Sequence, residues 1–169
     1  MAAKEKLEPA KKPTTVERTS DRELVVTRVV NGPAHLVFEA WATPDLFRQW
    51  WAPKSFGLTI LSYEADVRTG GAYRLVMKHP SSGQPMAFHG RYVEVIPKAR
   101  IVWTNEEGGE DGPVTTVIFE AQGDTTRVTV RELYPSKEAL DEAMASGSTS
   151  GWNEQFTQLD ALLAAGAQP

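Results

Sequence analysis

Hydrophobic and polar positions alternate along much of the chain, which is typical of β-strands with one buried face. The clearest case is residues 125–133, where Val128 and Val130 alternate with polar or charged neighbours. Residues 23–30 form a β-branched and aliphatic run that also predicts a strand. The pattern predicts seven strands, with Gly, Asn, Asp, Ser and Pro at the breaks, at about residues 23–30, 58–67, 72–79, 86–96, 100–106, 114–122 and 125–133.

Helical spacing predicts two short helices after the first strand. Pro33 fits the first turn of a helix that runs to about Ala42, because the proline N–H is not needed there. Thr43-Pro44 repeats this start signal, and the second helix is expected to carry Leu46, Phe47, Trp50 and Trp51.

Two more helices are predicted at the C-terminal end. Pro135-Ser136 opens a short helix that continues through Met144. The last helix begins after Ser148-Thr149-Ser150, any of which is a candidate N-cap. It has an apolar stripe at helical spacing, formed by Trp152, Phe156, Leu159 and Leu163.

The order of these elements predicts an α+β fold. Short connections between successive strands favour an antiparallel meander over parallel crossovers. A broad, curved sheet of seven strands needs a cover for its inner face, and the long C-terminal helix is expected to supply it. Such a sheet does not pack flat against one helix, so an apolar pocket is expected between them.

Length and composition are those of one globular unit. The chain has 169 residues, of which 41% are hydrophobic and 24% charged. Residues 1–20, with five Lys/Arg, three Glu and little to bury, are predicted to be a disordered tail, and 21–169 one ligand-binding domain. The absence of cysteine, of a secretory signal and of a long apolar run favours a cytoplasmic location without a membrane span. The net charge of −4 argues against nucleic acid as a partner.

Several segments, in this order, carry a resemblance to a known family. They are Ala34–Trp51 (AHLVFEAWATPDLFRQWW), Asp66–Tyr73 (DVRTGGAY), Gly90–Pro97 (GRYVEVIP), Arg100-Ile101-Val102 and Gly151-Trp152. Over roughly residues 22–165 the chain resembles the homologues of the activator of heat-shock-protein-90 ATPase. The resemblance implies the helix-grip fold of the START-like, or SRPBCC, ligand-binding superfamily.

The resemblance implies a deep pocket rather than one reaction, because superfamily relatives include lipid carriers, hormone and polyketide binders, and polyketide cyclases. We therefore expect a protein that binds a small apolar or aromatic molecule. The alternatives are a cyclase- or hydrolase-like enzyme that uses the same pocket, and a co-chaperone or regulatory interaction module that acts on a protein partner through its surface.

Candidate pocket residues come from the elements expected to enclose the cavity. Tryptophans offer flat apolar faces and an indole N–H that can orient a ligand. The predicted wall consists of Trp41, Trp50, Tyr73, Leu75, Met77, Phe88, Trp103, Trp152, Phe156 and Leu159.

Three candidate polar anchors accompany this wall: His89, Arg91 and Glu132. His89 is a candidate general base. Glu132 lies on the same face of its strand as Val128 and Val130, because alternate residues face the same way. It therefore either points inward, with Arg74 or Arg91 as its partner, or is exposed at the sheet edge. No catalytic set of Ser, His and Asp can be assembled from the sequence.

No metal or cofactor is expected. His79 and His89 lie on adjacent predicted strands and could approach one another, but no spacing matches a recognised metal pattern. Gly70-Gly71 lies between two strands and is expected to form a turn, which an ion pair of Asp66 and Arg68 would brace. The acidic, glycine-rich stretch 105–112 is expected to be a solvated hairpin loop, with a role in gating the pocket or contacting a basic partner as the alternative.

Overall fold

A computed structural model describes residues 14–166 and contains eight strands and four helices. The strands are β1 (Thr15–Arg18), β2 (Glu23–Val30), β3 (Thr59–Ala65), β4 (Ala72–Lys78), β5 (Pro85–Ile96), β6 (Arg100–Thr104), β7 (Val114–Gln122) and β8 (Thr125–Leu133). The helices are α1 (Ala34–Ala42), α2 (Pro44–Phe47), α3 (Lys137–Ser146) and α4 (Trp152–Ala164), and a single 3-10 turn covers Lys54–Phe56.

All eight strands form one antiparallel sheet in the order β1-β2-β8-β7-β6-β5-β4-β3. From β3 to β8 each strand pairs with the next in the chain, which is the predicted meander. The N-terminal hairpin joins through β2, which pairs along its length with β8, from Glu23 opposite Leu133 to Val30 opposite Thr126. The α+β class and the antiparallel sheet predicted from the sequence are confirmed.

The inner face of the sheet is covered by α4 and also by α1. In α4 the residues Trp152, Phe156 and Leu159 are buried, as the apolar stripe predicts, and the helix packs against β2. In α1 the buried residues are Val37, Phe38, Ala40 and Trp41, and this helix lies against β7 and β8. The Phe38 ring meets the Phe119 ring of β7 edge to face, with centroids 5.6 Å apart. The cover is therefore shared by two helices, whereas the sequence indicated one.

The predicted disordered tail, residues 1–20, is too long, because it includes the strand β1. Residues 15–18 pair with β2, from Thr15 opposite Thr27 to Arg18 opposite Leu24. Arg18 also donates from Nη1 to Asp141 Oδ1 of α3 at 2.7 Å. Composition gave no sign of this strand because an edge strand needs few apolar residues, and its single apolar side chain, Val16, is exposed. The rest of the predicted tail, residues 1–13, lies outside the described residues.

Of the two N-caps predicted for the C-terminal helices, the one of α3 is confirmed and the one of α4 is not. Ser136 caps α3, since its Oγ accepts a hydrogen bond from the Ala139 N–H at 3.0 Å. The predicted cap of α4 within residues 148–150 is wrong, because the N-cap is Gly151, which provides no side-chain hydrogen bond. The Ser150 hydroxyl donates instead to the Gly147 carbonyl. Among the described residues, no helix has the length and apolarity needed to cross a membrane.

Candidate functional site

A cavity of about 430 Å³ lies between the sheet and the cover of helices and connectors. Its walls come from β3 to β6 on the sheet side, and from α1, the connector 51–58 and the N-terminal end of α4 on the other. Glu132 of β8, Tyr134 and Ala143 of α3 complete the lining. Phe56, Glu107 and Ser148 are lining residues that are exposed, so they mark the mouth. The volume falls in the range of small-molecule sites.

Aromatic residues dominate the lining. Eleven of its 25 residues are aromatic: Trp41, Phe47, Trp51, Phe56, Tyr63, Tyr73, Phe88, Tyr92, Trp103, Tyr134 and Trp152. Many of these rings also pack against one another. Phe47 stacks on Trp51 and on Tyr63, with centroids 4.7 and 4.9 Å apart. Such mutual packing fixes the ring positions, so the cavity has preformed walls.

Side chains of α4 hold the connector that forms one wall. Gln158 donates from Nε2 to the carbonyls of Trp50 and Ala52, at 2.8 and 3.0 Å, and its Oε1 accepts from the Lys54 N–H at 2.8 Å. The Glu154 carboxylate accepts hydrogen bonds from both the N–H and the hydroxyl of Ser55. This carboxylate keeps a lowered pKa chiefly because the Ser55 hydroxyl stabilises its charged form. These bonds position Trp51, Ala52 and Pro53 against the cavity.

Tyrosine hydroxyls are among the polar groups that line the cavity. The hydroxyls of Tyr63 and Tyr92 lie 3.4 Å apart, and the Tyr73 hydroxyl donates to the Thr104 carbonyl at 2.8 Å. Burial raises the pKa of all three phenols, and for Tyr73 the nearby Glu107 carboxylate raises it further. These tyrosines therefore stay protonated around neutral pH and act as neutral hydrogen-bonding groups.

Glu132 is the carboxyl group of the cavity whose pKa is shifted by burial. Its register neighbours, Leu24 of β2 and Thr115 of β7, are fully buried, so its carboxyl faces the same interior side of the sheet. Burial raises the pKa of Glu132 to about 7, and the Tyr134 hydroxyl, which donates to Oε1 at 3.4 Å, opposes this rise only in part. Within residues 14–166, no Lys, Arg or His lies within ion-pair distance of the carboxyl.

Most of the wall residues inferred from the sequence line this cavity. They are Trp41, Tyr73, Leu75, Met77, Phe88, Trp103 and Trp152, together with Glu132 among the polar anchors. Trp50, Phe156 and Leu159 do not line it, and each is completely buried. Trp50 donates from its indole N–H to the Ala40 carbonyl at 2.9 Å, so its polar edge is used within the core. Phe156 and Leu159 lie farther along α4, beyond the cavity, which meets only the first turn of that helix.

His89 and Arg91 are not part of the cavity. Side chains alternate along β5, so Phe88 and Tyr92 point inward while His89 and Arg91 point outward and are exposed. The predicted pairing of Arg91 with Glu132 is also wrong, because Arg91 donates from Nε to Glu106 Oε2 at 2.8 Å. Arg74, the other candidate partner, is exposed opposite His89 on the outer face.

Among the cavity residues that the sequence analysis missed, Tyr92 could have been found from the alternation along β5. Tyr92 shares the parity of Phe88, and Tyr63 lies opposite Leu75 in the register of β3 and β4. Asn105 belongs to the acidic stretch that was expected to be a solvated loop. Its Nδ2 donates to the Pro113 carbonyl and to Thr115 Oγ1, both at 3.0 Å, and Asn105, Glu107 and Pro113 all border the cavity.

The remaining candidate groups lie apart from the cavity. His89 is opposite Arg74 in the β4–β5 register and His79 follows the end of β4, where its Nδ1 accepts from the Ser81 N–H, so the two histidines do not meet. In the described part of the chain, no group of three or more potential ligands among His, Cys, Asp and Glu could hold a metal ion. Arg68 donates to Asp66 at 2.9 Å, as expected for a pair that braces the turn before β4.

The curved antiparallel sheet, the C-terminal helix laid across it and the cavity between them define a helix-grip protein of the START-like, or SRPBCC, superfamily. Within it, the chain belongs to the family described as Activator of Hsp90 ATPase homolog 1-like protein, whose family model matches residues 31–164. The family and fold inferred from the sequence are thereby confirmed. Comparison with curated protein sequences finds no match.

Solved structures with this fold come from several bacteria. A protein from Rhodobacter sphaeroides is 22% identical, with a TM-score of 0.81 over 90% of this chain and 98% of its own. One from Mycobacterium smegmatis is 26% identical, with a TM-score of 0.77 over 92% of this chain and 100% of its own. One from Chromobacterium violaceum is 29% identical, with a TM-score of 0.68 over 83% and 96%. These likenesses establish the fold.

Proposed function

We propose that this protein binds a small, mainly apolar or aromatic molecule in the cavity between the sheet and α4. The observation that carries the proposal is the aromatic lining of a cavity of about 430 Å³, whose rings are already packed against one another. A preformed wall lowers the entropy lost on binding, because few side chains must be ordered by the ligand. A bicyclic or tricyclic ligand is the appropriate size for such a site.

Binding is favoured over catalysis by the placement of the ionisable groups. A cyclase- or hydrolase-like reaction would draw on His89, Arg91 or Glu132 as acid or base, but only Glu132 borders the cavity. The other ionisable groups of the lining are the Glu107 carboxyl, which is exposed at the mouth, and phenol hydroxyls with raised pKa values, which are poor proton acceptors at neutral pH. A surface role toward a protein partner would not require the cavity at all, so blocking the cavity distinguishes binding from that alternative.

The test fills the cavity without touching the surface. Leu75 is a buried lining residue of β4, whereas Leu61 of β3 is 48% exposed and does not line the cavity. Leu75→Trp should remove saturable binding of the neutral apolar dye Nile red, and Leu61→Trp, the same change on the outside, should leave it intact. The unmodified protein is expected to bind the dye with roughly micromolar affinity, equivalent to about −8 kcal/mol.

Stability separates a cavity from ordinary core in the same pair of variants. Overpacking a dense core typically costs about 1–3 kcal/mol, whereas filling empty volume adds dispersion contacts and displaces none. Leu75→Trp should therefore melt close to the unmodified protein. Dye binding that survives Leu75→Trp, or no saturable binding by the unmodified protein, would overturn the proposed function.

A further inference from the structure

We propose that the cavity selects ligands with a positively charged nitrogen, held by the carboxylate of Glu132 and the surrounding aromatic rings. This inference rests on the proposed function and specifies the chemical class of the ligand. It follows from three features of the site: the charges of its lining, the unused hydrogen-bonding capacity of Glu132, and the kinds of ring that form the wall.

The lining carries negative charge only. Its charged residues are Glu132 of β8 and the exposed Glu107, and none of the 25 lining residues is Lys, Arg or His. An anionic ligand would lose its hydration on entry and meet carboxylates without a compensating cation. A cationic ligand would meet an opposite charge at Glu107 and again at Glu132.

Glu132 has hydrogen-bonding capacity that the protein leaves unused. Within residues 14–166, its oxygens accept one hydrogen bond, the 3.4 Å bond from the Tyr134 hydroxyl to Oε1. Oε2 accepts none from these residues, and the side chain is half-buried on the lining of the cavity. An ionised carboxylate has about four acceptor sites, so an ammonium group can donate to it without displacing a protein partner.

Pairing with a cationic ligand is favourable because one of the two charged groups, the Glu132 carboxylate, has already lost hydration on folding. Removing a carboxylate from water is unfavourable, and folding has already taken away part of the hydration of Glu132 before any ligand arrives. A cationic ligand therefore gives up only its own hydration and regains a charge-assisted hydrogen bond in surroundings of low dielectric constant.

The aromatic wall adds a second attraction for a cation. The faces of Trp and Tyr rings carry negative electrostatic potential and attract a cation within about 6 Å. Trp51 and Trp103 line the cavity, and Trp103 lies in the same register row as Glu132, with Thr115 of β7 between them. The same rings accommodate the apolar part of the molecule, so an aromatic or polycyclic amine satisfies both ends of the site.

The experiment compares three naphthalene probes that differ in one group: 1-naphthylmethylamine, 1-naphthalenemethanol and 1-naphthoic acid. Isothermal titration calorimetry at pH 8 gives their affinities for the full chain. The amine is expected to bind about tenfold or more tightly than the alcohol, which is the usual effect of a hydrogen bond to a charged group. The acid is expected to bind most weakly.

The variant Glu132→Gln keeps the shape of the side chain and removes its charge. It should reduce the preference for the amine over the alcohol to about twofold or less and leave alcohol binding nearly unchanged. Glu120→Gln is the matched control, because Glu120 lies on the exposed end of β7, away from the cavity. It should keep the full preference for the amine.

The outcomes separate this inference from the proposed function. If the alcohol binds and the amine binds no better, or if the acid binds best, the charge selection is refuted while the binding function stands. If none of the three probes binds, both are refuted. The comparison within the unmodified protein decides the matter even if Glu132→Gln fails to fold.

Discussion

Replacing Glu132 with glutamine should stabilise the ligand-free protein, and only above acidic pH. The reason is that folding partly buries Glu132 beside the cavity without a basic partner among the described residues, and this loss of hydration raises its pKa from the usual 4.5 to about 7. In the unfolded chain the same carboxyl ionises near 4.5. Between these two values the folded protein binds more protons than the unfolded chain, so its free energy of unfolding falls as pH rises through this window. Glutamine carries no ionisable group and avoids that loss.

The magnitude follows from the difference between the two pKa values. Each tenfold change in proton affinity is worth ~1.4 kcal/mol. The ionised carboxylate of Glu132 therefore destabilises the fold by up to about 3 kcal/mol at pH 8, relative to its protonated form. At pH 4 the carboxyl is protonated in both states, so Glu132→Gln should then have almost the same stability as the unmodified protein. For a domain of this size, the gain at pH 8 corresponds to roughly 5–10 °C in melting temperature.

Urea titrations and thermal melts at pH 4, 6 and 8 measure this effect directly. Glu120→Gln provides the control, since an exposed carboxylate should show little change at any of these pH values. The reasoning would be wrong if the stability gain of Glu132→Gln were the same at all three pH values, or if that variant were less stable at pH 8.

Two further changes test the packing around the site. Gly90→Ala should lower the free energy of unfolding by more than about 2 kcal/mol, because a Cβ there would lie 1.9 Å from the Thr104 carbonyl oxygen. Gly83 has open space around it, so Gly83→Ala is the control and should be nearly neutral in the same urea titration. Deleting residues 1–18 should lower the melting temperature by several degrees, because it removes β1 and the hydrogen bond of Arg18 to Asp141. A deletion of residues 1–13 is the control. Equal melting temperatures for the two deletions would contradict a stabilising role for β1.

The sequence predicted the strands well where alternation is regular and the breaks carry strong turn residues. The bounds of β7 and β8 agree with their predicted ranges, and the parity of β8 already placed Glu132 with Val128 and Val130. The β1 strand was missed because one apolar residue in four leaves no alternation to detect. Pairing with β2 stabilises it, and that pairing is a tertiary property.

The site was harder to predict because orientation in turns and along helices depends on packing. Trp50 and Trp51 are neighbours just beyond α2, where no helical period applies, and the structure turns one into the core and the other toward the cavity. On α4, one apolar stripe serves both the cavity and the core, and the sequence does not show where the cavity ends. His89 and Arg91 could have been excluded, since they alternate with Phe88 on the same strand.

The pairing of β2 with β8 has a consequence for how the chain folds. Glu23 lies opposite Leu133, a separation on the order of 100 residues, whereas β3 to β8 connect through successive local hairpins. Contacts of such long range close slowly, because the entropy of the intervening chain must be lost before they form. During synthesis the N-terminal hairpin and α1 therefore emerge long before their partner strands, β7 and β8, exist. Until then the apolar side chains of β2, Leu24, Val26 and Val30, lack their native cover. In the interval between synthesis of β2 and of β8, this apolar surface is therefore open to aggregation.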